Sequence, residues 1–179
     1  PPVVVNALAD LNLAEDAVDA NIDLANLFND IDDDNASITK TATSSNASLV
    51  SAIINGNALT LDFQANRSGT TTITVTGTSN GQTVQDVFTV TVSPVDDAPV
   101  VANALADLSA AEDAADATIA LGNVFNDIDD DNASITKAAT SSNASLVTAA
   151  VNGNTLTLDY QANQSGTATI TVTGTSNGQ

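Results

Sequence analysis

The chain contains no cysteine, histidine, methionine or tryptophan, and its only basic side chains are Lys40, Arg67 and Lys137. Each absence excludes a chemistry. Without cysteine no disulfide can staple the fold, and no thiolate is available as nucleophile or soft metal ligand. Without histidine there is no side chain that ordinarily titrates near neutrality, and Zn²⁺ loses its preferred nitrogen and sulfur donors. Aromatic residues make up 3% of the sequence, namely Phe28, Phe63, Phe88, Phe125 and Tyr160, too few for a stacked sugar-binding face. No apolar run approaches the roughly 18 residues of a membrane span, so membrane insertion is not expected. Acidic residues number 22 and the formal net charge is −19, which repels nucleic acid and anionic membranes alike. Pro1-Pro2 opens the chain without Met or a signal segment, as expected of a piece excised from something longer.

What is present is patterned. Hydrophobic residues reach 42%, chiefly Val, Ile, Leu and Ala, and Thr is abundant, so the chain can bury small β cores instead of remaining disordered. The dominant feature is an internal repeat. VNALADL at Val5–Leu11 returns as ANALADL at Ala102–Leu108, and FNDIDDDNASITK at Phe28–Lys40 returns unchanged at Phe125–Lys137. The offset is a constant 97 residues, with about four in five aligned positions identical, a length typical of one Ig-like sandwich domain. The expected organisation is a first repeat over 1–95, an acidic linker over 96–99 and a second repeat over 100–179.

Turn chemistry places hairpins within each repeat. Asn55-Gly56 and Asn80-Gly81 each lie between β-like runs and supply the two positive-φ positions of a type I′ turn. Leu59, Leu61 and Phe63 alternate with polar residues, as do Ile73 and Val75, so strict alternation puts Phe63 and its counterpart Tyr160 in the core. Further runs at 3–5, 21–24 and 36–42 bring the expectation to about seven strands per repeat: an all-β chain of two tandem antiparallel sandwiches. Residues 7–28 also fit a helical face, which the surrounding strands disfavour. Asp86 falls on the apolar face of its strand, and a β-bulge before Phe88 would turn it outward. The second repeat stops at Gln179, the counterpart of Gln82, and so lacks the counterpart of the final strand. That leaves an edge open to pairing, either because the chain ends early or because a strand from another copy fills the gap.

The acids cluster. Glu15-Asp16 and Asp30, Asp32, Asp33, Asp34 recur as Glu112-Asp113 and Asp127, Asp129, Asp130, Asp131, with Asp96-Asp97 in the linker. About twelve extended residues separate the two clusters of a repeat, roughly 40 Å, so they should occupy opposite poles. Stacked end to end, the repeats would bring Glu15, Asp16, Asp96, Asp97, Asp127 and Asp129 to one junction, with Asp30, Asp32, Glu112 and Asp113 as half-sites at the two ends. Close carboxylates repel by about 1 kcal/mol per pair at 4 Å even in water, and Ca²⁺, which takes six to eight oxygens, is the cation that suits them. The competing reading is a solvated Asp- and Asn-rich turn. Asp30-x-Asp32-x-Asp34 opens like an EF-hand but has Asn35 where Gly and Thr41 where Glu are required, so it is not one.

VDDAPVV, AED, FNDIDDD and LTLDYQANQSGTATITVTGTSNG together resemble the cadherin-like and Ig-like repeats of large bacterial surface adhesins. The resemblance implies that Asp96-Asp97-Ala98-Pro99 plays the calcium-binding linker, with Asp97 in place of the usual Asn, and that Glu15 and Asp127-x-Asp129 supply the flanking ligands. The Leu-Asp-Arg-Glu segment of such repeats has no clear counterpart. The implied role is an extracellular stalk whose partners are adjacent repeats. The alternatives are a filament subunit joined by strand exchange through the unpaired edge and a calcium-dependent carbohydrate module contacting glycans. No nucleophile, base or cleft marks an enzyme. Asn35, Asn46, Asn66, Asn132, Asn143 and Asn163 each head an N-x-S triplet but read as turn residues.

Overall fold

A computed structural model describes all residues, Pro1–Gln179, and the chain divides into two compact units, Pro1–Val95 and Asp96–Gln179. Unit 1 contains β1 (Val3–Val4), β2 (Leu11–Ala14), β3 (Ala20–Asp23), β4 (Phe28–Asn29), β5 (Thr39–Ser44), β6 (Val50–Asn55), β7 (Ala58–Phe63), β8 (Gly69–Ser79) and β9 (Gln82–Ser93). Unit 2 contains β10 (Val100–Val101), β11 (Ala117–Ala120), β12 (Phe125–Asn126), β13 (Thr136–Ser141), β14 (Val147–Asn152), β15 (Thr155–Tyr160) and β16 (Ile170–Thr175). The chain is all-β, and the helical face that 7–28 also fits forms no helix. Its place is taken by β2 and β3, both short and alternating. Neither strand is long enough for helix nucleation to compete once a sheet offers its backbone a partner.

Unit 1 is a two-layer sandwich. One sheet has the order β2-β9-β8-β5 and the other β3-β7-β6, with β1-β4 a small separate ladder. All pairings are antiparallel except β2 with β9, which runs parallel from Leu11↔Val90 to Ala14↔Ser93. Two β contributions escaped the sequence pattern: β2, and the two-residue β4 that pairs Phe28 with Val4. Both are too short to show a period. In the opposite direction, the run expected from residue 36 begins only at Thr39, because Asn35–Ser37 form a 3-10 turn capped by the Asp34 side chain.

The inward residues form one core of Leu24, Phe28, Val50, Leu59, Leu61, Ile73, Val75, Phe88 and Val90, all but sealed from solvent. Phe63 belongs to it, whereas Tyr160 in unit 2 is only partly buried. Gly77 on β8 lies under the Phe28 ring so closely that any side chain there would overlap it. Gly174 and Phe125 repeat the arrangement in unit 2.

The bulge expected before Phe88 does not exist. The β8–β9 register runs without interruption from Gly69↔Val92 to Ser79↔Gln82, and Asp86 points inward, 8% exposed. A buried carboxylate is costly unless its oxygens are engaged. Here Asp86 Oδ2 accepts the backbone N–H of Leu8 at 2.8 Å, so a carboxylate on the apolar face fastens the segment before β2 instead of breaking the ladder.

Candidate metal centre

The acidic loop follows Phe28 in unit 1 and Phe125 in unit 2, each ring anchored over its glycine, so the first Asp of the loop starts from a fixed point. In unit 1 Asp30 is buried. Its N–H donates to Asn35 Oδ1 at 3.0 Å, and its Oδ1 accepts the N–H of Asp32 at 3.2 Å. This loop is therefore an Asx-type turn, as Asp and Asn favour. The Asp32 N–H is the main cause that holds the Asp30 carboxyl below its usual range; burial opposes the shift, and Ser79 and the Pro1 ammonium assist it. The Pro1 ammonium lies 3.6 Å from Asp30 Oδ1 and 3.9 Å from the exposed Asp32 Oδ2.

Unit 2 repeats this geometry without the ammonium. Asp127 N–H donates to Asn132 Oδ1 at 2.9 Å, and Asp127 Oδ1 accepts from the N–H groups of Asp129 and Asp130 at 3.0 and 3.1 Å. Asp127 is 7% exposed, and its second oxygen, Oδ2, is buried with no hydrogen-bond partner. Such an atom is rare in folded proteins and calls for a ligand or water. The linker residues reach the same end of the unit: Asp97 N–H donates to Asp129 Oδ2 at 2.8 Å. Asp96 Oδ1 accepts from Asn177 Nδ2 at 2.8 Å and Asp96 Oδ2 from Gln179 Nε2 at 2.8 Å.

The remaining expected site residues lie elsewhere within their units. Glu15 is buried at the end of β2, where Oε1 accepts the N–H of Val95 at 2.6 Å. Asp16 adopts φ 60° and caps Asn66 N–H at 2.9 Å. Glu112 is exposed, and Asp113, φ 61°, caps Asn163 N–H at 2.8 Å. Asp33 is bound by Ser79 Oγ at one end of the β8–β9 ladder, while Glu15 meets Ser93 and Val95 at the other. The acidic loop and the Glu15 pair thus sit at opposite ends of unit 1. Within either unit, no three carboxylates are gathered into a preformed metal cluster.

Two pairs of contributors were not among the expected site residues. Asp33 and Asp130 tie the loop to the hairpin tip, Asp130 Oδ2 accepting from Ser176 Oγ at 2.7 Å and Asn177 Nδ2 at 2.6 Å. Asn35 and Asn132 support the first Asp. The only signal was their presence inside the verbatim repeat, which did not say which acid serves the fold and which faces outward.

The donors are all carboxylate or carbonyl oxygen, which suits a hard cation. Asp127 Oδ2 fits that role, since nothing else engages it. Asp96 fits less well, both its oxygens being held by side-chain amides.

These features define an all-β protein of tandem sandwich units, each carrying one acidic loop. No protein-family model matches the sequence, and no curated protein matches it. Solved structures with similar coordinates include protocadherin gamma B2 extracellular cadherin domains 3–6, at 14% identity and TM-score 0.47, covering 98% of this chain and 43% of that one. Titin domains Z1Z2 align at 10% identity and TM-score 0.40, covering 98% and 89%. An endo-fucoidan hydrolase of glycoside hydrolase family 107 aligns at 16% identity and TM-score 0.41, covering 96% of this chain, which spans 28% of that enzyme's length. All three likenesses are too loose to bear on function.

Proposed function

We propose that the chain is a spacer segment of an extracellular surface protein of the bacterial adhesin kind, whose repeats are stiffened by Ca²⁺ bound at the acidic loop. Near-identical serial units suit a stalk, which needs length and not a unique pocket. The observation that carries the calcium reading is Asp127 Oδ2, a buried oxygen without a partner in a loop repeated verbatim. In unit 2 Asp127 and Asp129 would hold the ion, and Asp97, already bonded to Asp129, would be fixed with it.

Thermal unfolding in EDTA, in Mg²⁺ and in Ca²⁺ tests this reading. Ligand at a hundred times its dissociation constant adds about 2.7 kcal/mol. For a unit of this size, about 4–8 °C per kcal/mol makes that a rise of roughly 10–20 °C in Tm. Asp127→Asn retains an oxygen that can accept the loop N–H bonds but loses the charge, so its unit 2 should lose the calcium response while folding in EDTA. Equal melting in EDTA and saturating Ca²⁺ would remove calcium from the reading.

A further inference from the structure

Asp127 is held by its surroundings at every polar atom but one. Its N–H donates to Asn132 Oδ1 at 2.9 Å, and its carbonyl accepts from Asn126 Nδ2 at 3.3 Å. Its Oδ1 accepts the N–H groups of Asp129 and Asp130 at 3.0 and 3.1 Å. The two asparagine amides are joined in turn, Asn132 Nδ2 donating to Asn126 Oδ1 at 2.9 Å. Asn126 ends β12 and Asn132 opens the turn that leads to β13, so the pair clips the neck of the loop between the two strands. The far leg is fixed separately. Asp131 Oδ1 accepts the Ala133 N–H at 3.0 Å, and the Ser134 N–H and hydroxyl both donate to Asp131 O at 2.7 Å. The atom left over is Asp127 Oδ2, buried and without a partner.

The loop of unit 1 carries the same clip. Asn35 Oδ1 accepts the Asp30 N–H at 3.0 Å, and Asn35 Nδ2 donates to Asn29 Oδ1 at 2.8 Å. Neutral amides suit these places where acids would not. An amide both donates and accepts, whereas a carboxylate could not donate to its neighbour and would add repulsion beside the first Asp.

We infer that Asn126 and Asn132 are the positioning residues of the loop and set its preference for a large divalent cation over a small one. This rests on the calcium reading of the loop given above. Mg²⁺ demands a near-ideal octahedron at about 2.0–2.1 Å and gives up water reluctantly, whereas Ca²⁺ accepts irregular oxygen sets at about 2.3–2.6 Å. A loop clipped at its neck cannot contract about the smaller ion. With its main chain and Oδ1 tied down, Asp127 presents Oδ2 at a fixed place, so little reorganisation opposes binding of the larger ion. Both amides act through the Asp127 main chain and not as ligands, their oxygens being engaged within the clip.

Amide NMR titration of the 179-residue chain with Ca²⁺ and with Mg²⁺ tests this, because residue-resolved shifts separate unit 2 from unit 1. In the native chain the amides of Asp127, Asp129 and Asp130 should respond to Ca²⁺ at lower concentration than to Mg²⁺. Asn132→Ala should weaken Ca²⁺ binding about tenfold, the usual cost of losing a ligand's outer support, and Mg²⁺ binding much less. The ratio of the two affinities is therefore the readout. Without metal, the Asp127 amide should exchange with solvent faster in this variant, since its acceptor is gone. Both asparagines are exposed, so their removal leaves the core intact. Asn126→Ala should move the ratio in the same direction, and it carries the test if Asn132→Ala fails to fold. Asn143→Ala removes the acceptor of the Ser145 N–H in another turn of unit 2, so it should lower stability and leave the ratio alone. An unchanged ratio in the loop variants, an equal shift in Asn143→Ala, or equal native affinity for the two ions overturns the inference while leaving calcium in place. A native loop that does not respond to Ca²⁺ removes the calcium reading and this inference with it.

Discussion

Gly77→Ala isolates the contact on which the acidic loop of unit 1 is built. A Cβ at this position would lie 2.6 Å from Phe28 Cδ2 and 2.9 Å from Cε2, against the 3.5–4.0 Å at which carbon atoms attract. About 1 Å of movement is therefore required. The ring that must move is 1% exposed and sits one residue ahead of the loop, so the strain cannot escape to solvent. Overpacking of this kind costs about 1–3 kcal/mol, and the sealed environment favours the upper half of that range. At about 4–8 °C per kcal/mol, unit 1 should melt roughly 10–20 °C lower while unit 2, with its own Gly174, stays unchanged. Differential scanning calorimetry with urea denaturation reads both units in one sample. Phe28→Leu in the Gly77→Ala background should recover part of the loss, because the smaller side chain vacates the colliding ring edge. A shift in Tm below about 2 °C, or a double variant no better than the sum of its parts, would show that the ring has room and that Phe28 does not pin the loop.

Asp86→Leu should destabilise unit 1 by about 1–3 kcal/mol, because the Leu8 N–H loses its acceptor, while Asp86→Asn should cost less, since an amide oxygen can take the same bond; urea midpoints separate the two. The Asp30 carboxyl is held below its ordinary value of 3.8 by the Asp32 N–H, so its contribution to folding is complete above that value and is lost as pH falls through the lower, folded pKa. Urea midpoints of unit 1 from pH 5 down to pH 2 should therefore drop more steeply in the native chain than in Asp30→Asn. Parallel curves would mean that Asp30 gains nothing from the loop.

The sequence alone determined the repeat, its length and the β class. A 97-residue offset with near-identity, the Asn80-Gly81 hairpin turn with both φ positive, and period-two alternation in the long strands are all local signals, readable wherever backbone geometry and side-chain period agree; the other hairpin turns at Gly56-Asn57, one residue later than expected, with a positive φ only at Gly56. The acidic clusters also lie at opposite ends of unit 1, as expected, but the chain between them is not one extended run: β3 is followed by a turn at 25–27 and the two-residue β4, so the separation is set by the sandwich and not by chain length. Tertiary structure decided the rest. β2 and β4 exist only because β9 and β1 lie beside them, and two to four residues are too few to carry a period. Asp86 stays inward because a backbone N–H from residue 8 meets it across the fold, a contact that no local pattern encodes. Within the loops, the sequence counts four Asp residues per copy but cannot rank them. Burial and hydrogen bonding do so, engaging Asp130 at the hairpin tip, committing one oxygen of Asp127 to the turn and leaving the other without a partner.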